Sequence, residues 1–183
     1  MTRHTILVRA THWINFLSFL ALAVSGVAIL LAHPRFYWGE SGYFDTPAAF
    51  ELPLPVNLDQ TGWGRSLHFL AAWIAVLNGL VYVVWGFLSR HFRYASYNLL
   101  QRCAYVSVVF GVLPLTILTG LSLSPAVTAA YPVLFTLFGG RQSARTIHFF
   151  AADLLVLFLV VHVIMTIRAG IVNSMFTGTA EAK

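Results

Sequence analysis

The stretch Thr146–Ile167, TIHFFAADLLVLFLVVHVIMTI, holds a single charged residue, Asp153, and two histidines, His148 and His162. At about 1.5 Å rise per residue it extends roughly 33 Å as a helix, enough to cross a hydrocarbon core about 30 Å thick with some tilt. Three further runs, Ala10–Ala32, Leu67–Leu88 and Cys103–Pro125, contain no Asp, Glu, Lys or Arg. Lipid offers no water to the backbone, so N–H and C=O groups must pair within each run, and all four are predicted to be helices. The expected fold class is all-α, an integral membrane four-helix bundle. One domain is expected over residues 1–183, with helices at about 6–32, 64–89, 101–123 and 145–172.

Composition points the same way. The 183 residues are 58% hydrophobic and 9% charged, against about 25% charged in an ordinary soluble domain. So few charges exclude a soluble globular domain, a disordered chain and a nucleic-acid-binding module. The net charge of +5 comes from 11 Lys+Arg against 6 Asp+Glu, a scarcity of acids and not a dense basic patch. One cysteine, Cys103, excludes an internal disulfide framework, a thiolate-ligated iron–sulfur cluster and a Cys-x-x-Cys-His haem attachment. The first run outlasts the apolar core of about 7–15 residues found in a secretory signal and has no Ala-x-Ala site after it, so it is read as a retained span.

Lys and Arg resist translocation and therefore orient the helices. Arg3, Arg9, Arg90, Arg93, Arg102, Arg168 and Lys183 fall on one side, and Arg35, Arg65, Arg141 and Arg145 on the other. Both termini are accordingly expected in the cytoplasm. The opposite side holds the longer connections, His33–Ser66 and Ser124–Arg145, the latter with a short interfacial helix expected over Val127–Phe138. Pro114 is expected to kink the third helix, with Thr116 and Thr119 satisfying the freed carbonyl. Trp13, Trp38, Trp63 and Trp85 read as interfacial belt residues, Trp13 also as a wall for a quinone beside His12. Asn78 reads as interhelical glue. Asp153 points about 140° away from His148 and is open to a structural or a proton-handling role.

Of seven histidines, His4, His33 and His91 lie outside the helices and receive no role. His12, His68, His148 and His162 lie inside, where ionisable side chains are expensive and mark function. His148 and His162 are fourteen positions apart, about 21 Å along the axis and within roughly 40° of one face. His12 and His162 each lie about 9 Å inside the cytoplasmic boundary, and His68 and His148 each sit just inside the opposite one. The four sort into two level pairs, His12 with His162 and His68 with His148. Two opposed imidazoles suit haem iron, whose macrocycle supplies the other four ligands, better than zinc, which wants three or four protein ligands. The expected bundle thus binds two b-type haems between its helices, one near each surface. Gly26 is read as room for a macrocycle, with Gly86 in the corresponding place on helix two. Arg9, Arg65, Arg141 and Arg145 are read as partners for haem propionates. A rival reading keeps the chain as a haem-free membrane anchor or transporter whose histidines serve packing or protons.

Arg9-Ala-Thr-His-Trp-Ile-Asn15, His68-Phe-Leu-Ala-Ala-Trp73, and His148 with His162 resemble the bacterial cytochrome b561 and nickel-hydrogenase cytochrome b family. Ala32-His-Pro-Arg-Phe-Tyr-Trp-Gly39 and Phe138-Gly-Gly-Arg-Gln-Ser-Ala-Arg-Thr-Ile-His148 are similar to its thiosulfate reductase and formate dehydrogenase cytochrome b type. The resemblance implies a respiratory-chain subunit of the bacterial inner membrane. Such a subunit moves electrons between the quinone pool and a periplasmic redox partner, often a molybdopterin oxidoreductase. It also implies that the four histidines are the haem ligands and that quinone reacts beside the cytoplasmic haem. The loop at Phe36–Trp38 is expected to help dock the partner, and Ser89–Arg102 is shorter than in relatives. A stand-alone quinone-linked oxidoreductase of the same fold, such as a superoxide oxidase, is the alternative.

Overall fold

A computed structural model describes residues 5–42, 45–89, 99–170 and 172–177. Arg3, His4, Arg90, His91, Arg93 and Lys183, with most of the Ser89–Arg102 loop, lie outside the described residues. The described residues are all-α apart from one small hairpin. Its elements are α1 (Ile6–Ala32), β1 (Arg35–Phe36), β2 (Phe50–Glu51), α2 (Gln60–Leu88), α3 (Leu99–Ser107), α4 (Leu113–Leu123), α5 (Pro125–Ala130), α6 (Leu134–Leu137), α7 (Arg141–Arg168) and α8 (Val172–Thr177). Four helical stretches are long and apolar enough to cross a membrane: α1, α2, Leu99–Leu123 and α7.

Several boundaries differ from the sequence expectation. Helix α2 begins at Gln60 and α7 at Arg141, each ahead of its uncharged run. Helix α7 ends at Arg168, not near 172, because Gly170 turns to φ +65 and its N–H donates to the Ile167 carbonyl at 3.0 Å. Glycine takes this left-handed stop without a Cβ penalty, and the chain then restarts as α8. The interfacial segment after Pro125 forms two short helices, α5 and α6. Between α3 and α4 the backbone winds as a π-helix over Val108–Val112, directly before Pro114. Thr116 and Thr119 do not serve the carbonyl that Pro114 leaves unpaired. Their hydroxyls donate to Val112 and Leu115, at 2.8 and 2.7 Å. A helical threonine reaches one turn back along its own helix, and from 116 and 119 that reach stops at residue 112.

The described residues fall into two compact units. The first comprises α1, α2, α7 from His162 onward, and α8. Helices α1 and α2 meet at Gly64, where a Cβ would stand 3.0 Å from the Ala28 Cβ and 3.5 Å from the Ser25 carbonyl. Further along, the Asn78 amide donates to the Thr11 carbonyl at 2.7 Å and to Asn15 Oδ1 at 2.8 Å, an interhelical clasp of the kind expected from sequence. Helix α8 returns to α1. Its Met175 carbonyl accepts Arg9 Nε–H at 3.1 Å and Trp13 Nε1–H at 3.3 Å, and the Phe176 ring lies 4.5 Å from that of Trp13. Trp13, expected at the membrane belt, is instead packed against α8.

The second unit comprises His33–Val56, α3 to α6, and α7 up to Val161. Here the hairpin segment caps α7. The Gly39 carbonyl accepts the N–H groups of Gln142 and Ser143 at 2.9 and 3.3 Å, satisfying donors that the first turn of a helix leaves unpaired. In return Ser143 Oγ accepts the Gly39 N–H at 2.7 Å, and Thr146 Oγ1 donates to the Tyr37 carbonyl at 2.8 Å. Phe36 stacks on Phe50 at 4.5 Å and packs on Phe149 at 4.6 Å. Phe36 and Tyr37 are 1% and 8% exposed and belong to the interior, leaving Trp38, at 65%, as the only exposed ring of the three.

Burial is inverted relative to a protein in water. Ser25, Thr119, Ser122 and Ser143 are among the most deeply buried side chains, while Leu17, Leu77, Phe110 and Leu157 face outward. Small residues let helix backbones approach, and lipid tails solvate the outward leucines as well as a core would. Gly64→Leu should overpack the α1–α2 crossing, lowering stability by about 1–3 kcal/mol, seen as a fall in the thermal midpoint of the detergent-purified protein.

Candidate functional site

In the first unit His12 from α1 and His162 from α7 face each other with ring centres 6.5 Å apart and planes tilted by 54°. An imidazole nitrogen bonds a metal at about 2.0–2.1 Å and lies roughly 1.2 Å from its ring centre. Two imidazoles on opposite sides of one metal would therefore stand about 6.4–6.6 Å apart. At the observed spacing both residues could hold one metal. The Trp13 ring stands edge-on to His12 at 5.6 Å, and Thr166 Oγ1 donates to the His162 carbonyl at 2.5 Å. Among the described residues no three of His, Cys, Asp and Glu cluster to hold a metal ion by themselves.

His68, also in the first unit, sits one turn after the Gly64 crossing. Its Nδ1 lies 2.9 Å from Ser25 Oγ, and its ring hydrogen-bonds the Leu22 carbonyl. Gly26 borders the same ring: a Cβ there would lie 4.0 Å from His68 Cε1. Gly86 is buried on α2. In the second unit His148 Nδ1 lies 2.9 Å from Thr119 Oγ1 and 3.0 Å from the Thr116 carbonyl. Gly120 borders this ring more tightly, with a Cβ position 3.3 Å from His148 Cε1. Ser25 and Gly120 were not singled out from sequence, and Thr119 was read only as a partner for the carbonyl that Pro114 frees. The signal was the repeated hydroxyl–glycine pair, Ser25-Gly26 and Thr119-Gly120, but a serine or threonine in an apolar run usually bonds its own helix.

The arginines divide. Arg145 donates through Nη1 to the Arg35 carbonyl at 2.8 Å and through Nη2 to the His33 carbonyl, and its guanidinium lies 4.7 Å over the Phe36 ring. It is committed to fastening the hairpin segment to α7, a role that its helix-end position concealed. Arg9 uses Nε on Met175 of α8. Arg65 and Arg141 are exposed and donate to the backbone carbonyls of Thr61 and Leu123, both at 3.4 Å. In the hairpin Arg35 pairs with Glu51 at 3.0 Å, and that hydrogen bond raises the guanidinium pKa further, so Arg35 is a fixed positive charge. Asp153 lies on an exposed face of α7.

The sequence matches the family model of the prokaryotic cytochrome b561 proteins over residues 3–178. The chain belongs to the prokaryotic cytochrome b561 family. It is a multi-pass membrane electron-transfer protein of the cytochrome b561 type, a family of helical bundles that bind b-type haem. A relative from Azospira oryzae is 30% identical, the match covering 88% of each chain, and is provisionally named a protein-methionine-sulfoxide reductase subunit, YedZ1. No solved structure gives a significant match.

Arg145→Ala removes two charge-assisted hydrogen bonds, each worth about 1.5–3 kcal/mol. Faster proteolysis within residues 33–56 is the expected result, with the spans themselves uncut.

Proposed function

We propose that this cytochrome b561 protein is a di-haem subunit that carries electrons between the membrane quinone pool and a periplasmic oxidoreductase. The observation that carries the reading is the 6.5 Å spacing of the His12 and His162 rings, at which both imidazoles would hold one haem iron. His68 and His148 are assigned to a second haem on their equal depth along the chain, just inside the opposite surface. Each holds its Nδ1 on a hydroxyl of a neighbouring helix, an arrangement that orients an imidazole for a metal. Bound haem supplies one-electron redox chemistry at the level of each histidine pair.

The chain's own residues do the rest. Gly26 and Gly120 keep side chains away from the rings of His68 and His148. Arg9, Arg65 and Arg141 offer guanidinium groups for propionates, whereas Arg145 is engaged with the hairpin segment. Trp13, Phe16 and Phe176 form an aromatic wall beside His12, suited to a quinone ring at the cytoplasmic end. The Lys and Arg distribution supports an inner-membrane location with both termini in the cytoplasm. The hairpin segment, presenting Trp38, then faces the periplasm and the partner. The name of the Azospira oryzae relative favours an oxidoreductase complex as the setting, and a molybdopterin enzyme is the partner class proposed.

A reduced-minus-oxidised spectrum with haem quantified per chain tests this. Two b-type haems are expected, falling to one in His12→Ala and in His162→Ala, with the same haem lost from both. A colourless protein, or loss of different haems from those two variants, would refute the assignment. Co-purification with a periplasmic redox subunit is expected, and quinone turnover by the chain alone would point to a stand-alone enzyme.

A further inference from the structure

Two buried hydroxyls hold histidine rings through one repeated arrangement. In Leu22-Ala-Val-Ser25-Gly26 and Thr116-Ile-Leu-Thr119-Gly120, a backbone carbonyl, a hydroxyl three residues later and a glycine directly after it all meet a histidine of another helix. We propose that Ser25 and Thr119 are positioning residues that fix His68 and His148 with Nδ1 protonated and Nε2 as the metal-facing nitrogen, lowering the reduction potential of the haem each ring serves. The inference rests on the haem assignment above and extends it to residues that carry no ligand atom.

The hydrogen-bond directions follow from elementary donor counting. The Thr116 carbonyl can only accept, so His148 Nδ1, at 3.0 Å from it, carries the proton. The Thr119 hydroxyl donates its own proton to the Leu115 carbonyl at 2.7 Å, so its oxygen meets the ring as a second acceptor at 2.9 Å. A neutral imidazole has one N–H, which leaves Nε2 with the lone pair that metals bind. The same logic applies to His68. Ser25 Oγ donates to the Ala21 carbonyl at 2.7 Å and faces His68 Nδ1 at 2.9 Å, while the Leu22 carbonyl takes the ring's hydrogen bond. Ser25 and Thr119 are both 0% exposed, so no water competes for either ring. Gly26 and Gly120 let each ring lie against the helix that holds it; a side chain at 120 would begin 3.3 Å from His148 Cε1. Acceptors on Nδ1–H make the ligand nitrogen more basic, which favours oxidised over reduced iron.

The test uses the full-length, haem-loaded protein in detergent, with haem per chain and both midpoint potentials measured by spectroelectrochemical titration. Thr119→Val should keep both haems and raise one potential by up to about tenfold in the reduction equilibrium, 59 mV for one electron. Thr119→Ser should restore the original value. Ser25→Ala, which favours helix and adds no bulk, should raise a potential in the same direction and serves if the valine variant does not fold. Full haem content with both potentials unchanged in Ser25→Ala and Thr119→Val would overturn the positioning role alone. Full haem content in His68→Ala and His148→Ala would instead overturn the ligand assignment and the positioning role with it.

Discussion

Hydrocarbon has no water to lend, so every polar group inside it must find a partner within the protein. In this chain that constraint organises the interior more than apolar packing does. Serine and threonine hydroxyls fill the most buried positions and return their protons to carbonyls one turn earlier, as Ser25 does to Ala21 and Thr119 to Leu115. Their oxygens then remain as acceptors. His68 and His148 each lie against one, so that two of the four intramembrane imidazoles have their proton placed by the helix they meet. Asn78 follows the same rule, spending its amide on the Thr11 carbonyl and Asn15.

The extramembrane parts solve a related problem at helix ends. Helix α7 begins with unpaired N–H groups at the edge of the apolar phase, and Gly39 supplies the carbonyl that two of them need. Arg145, one turn further in, holds the carbonyls of His33 and Arg35. The hairpin segment is therefore built into the helix that carries His148, with Phe36 stacked beneath it and Trp38 presented outward. At the other end of the chain, α8 covers Trp13, the neighbour of His12, through Met175 and Phe176. Each end of the protein thus couples a polar cap to a position next to a histidine.

Much of the architecture was legible because lipid imposes a simple code: runs of about 20 uncharged residues are spans, and charges mark their ends. That code located all four spans and isolated the histidines within them. It misjudged helix ends, since α2 and α7 begin with the polar turns Gln60–Ser66 and Arg141–Arg145, and the cap of α7, Gly39, lies elsewhere in the chain. It also read Arg145, Trp13 and Phe36 by location alone, and each turned out to be defined by a distant contact: the carbonyls of residues 33 and 35, helix α8, and the rings of Phe50 and Phe149.

What sequence determined by itself was membership of the membrane, the number of spans, the depth of each histidine along its helix, and the family resemblance that the full-length match supports. These depend on local quantities, length, charge and helical rise, that need no knowledge of neighbours. Only the tertiary structure decided that His12 and His162 face each other at 6.5 Å, that Ser25 and Thr119 hold the rings of His68 and His148, and that Arg145 serves the hairpin. Those facts depend on which faces of separate helices meet. In a membrane, where leucine outside costs no more than leucine inside, the apolar pattern leaves those faces unmarked.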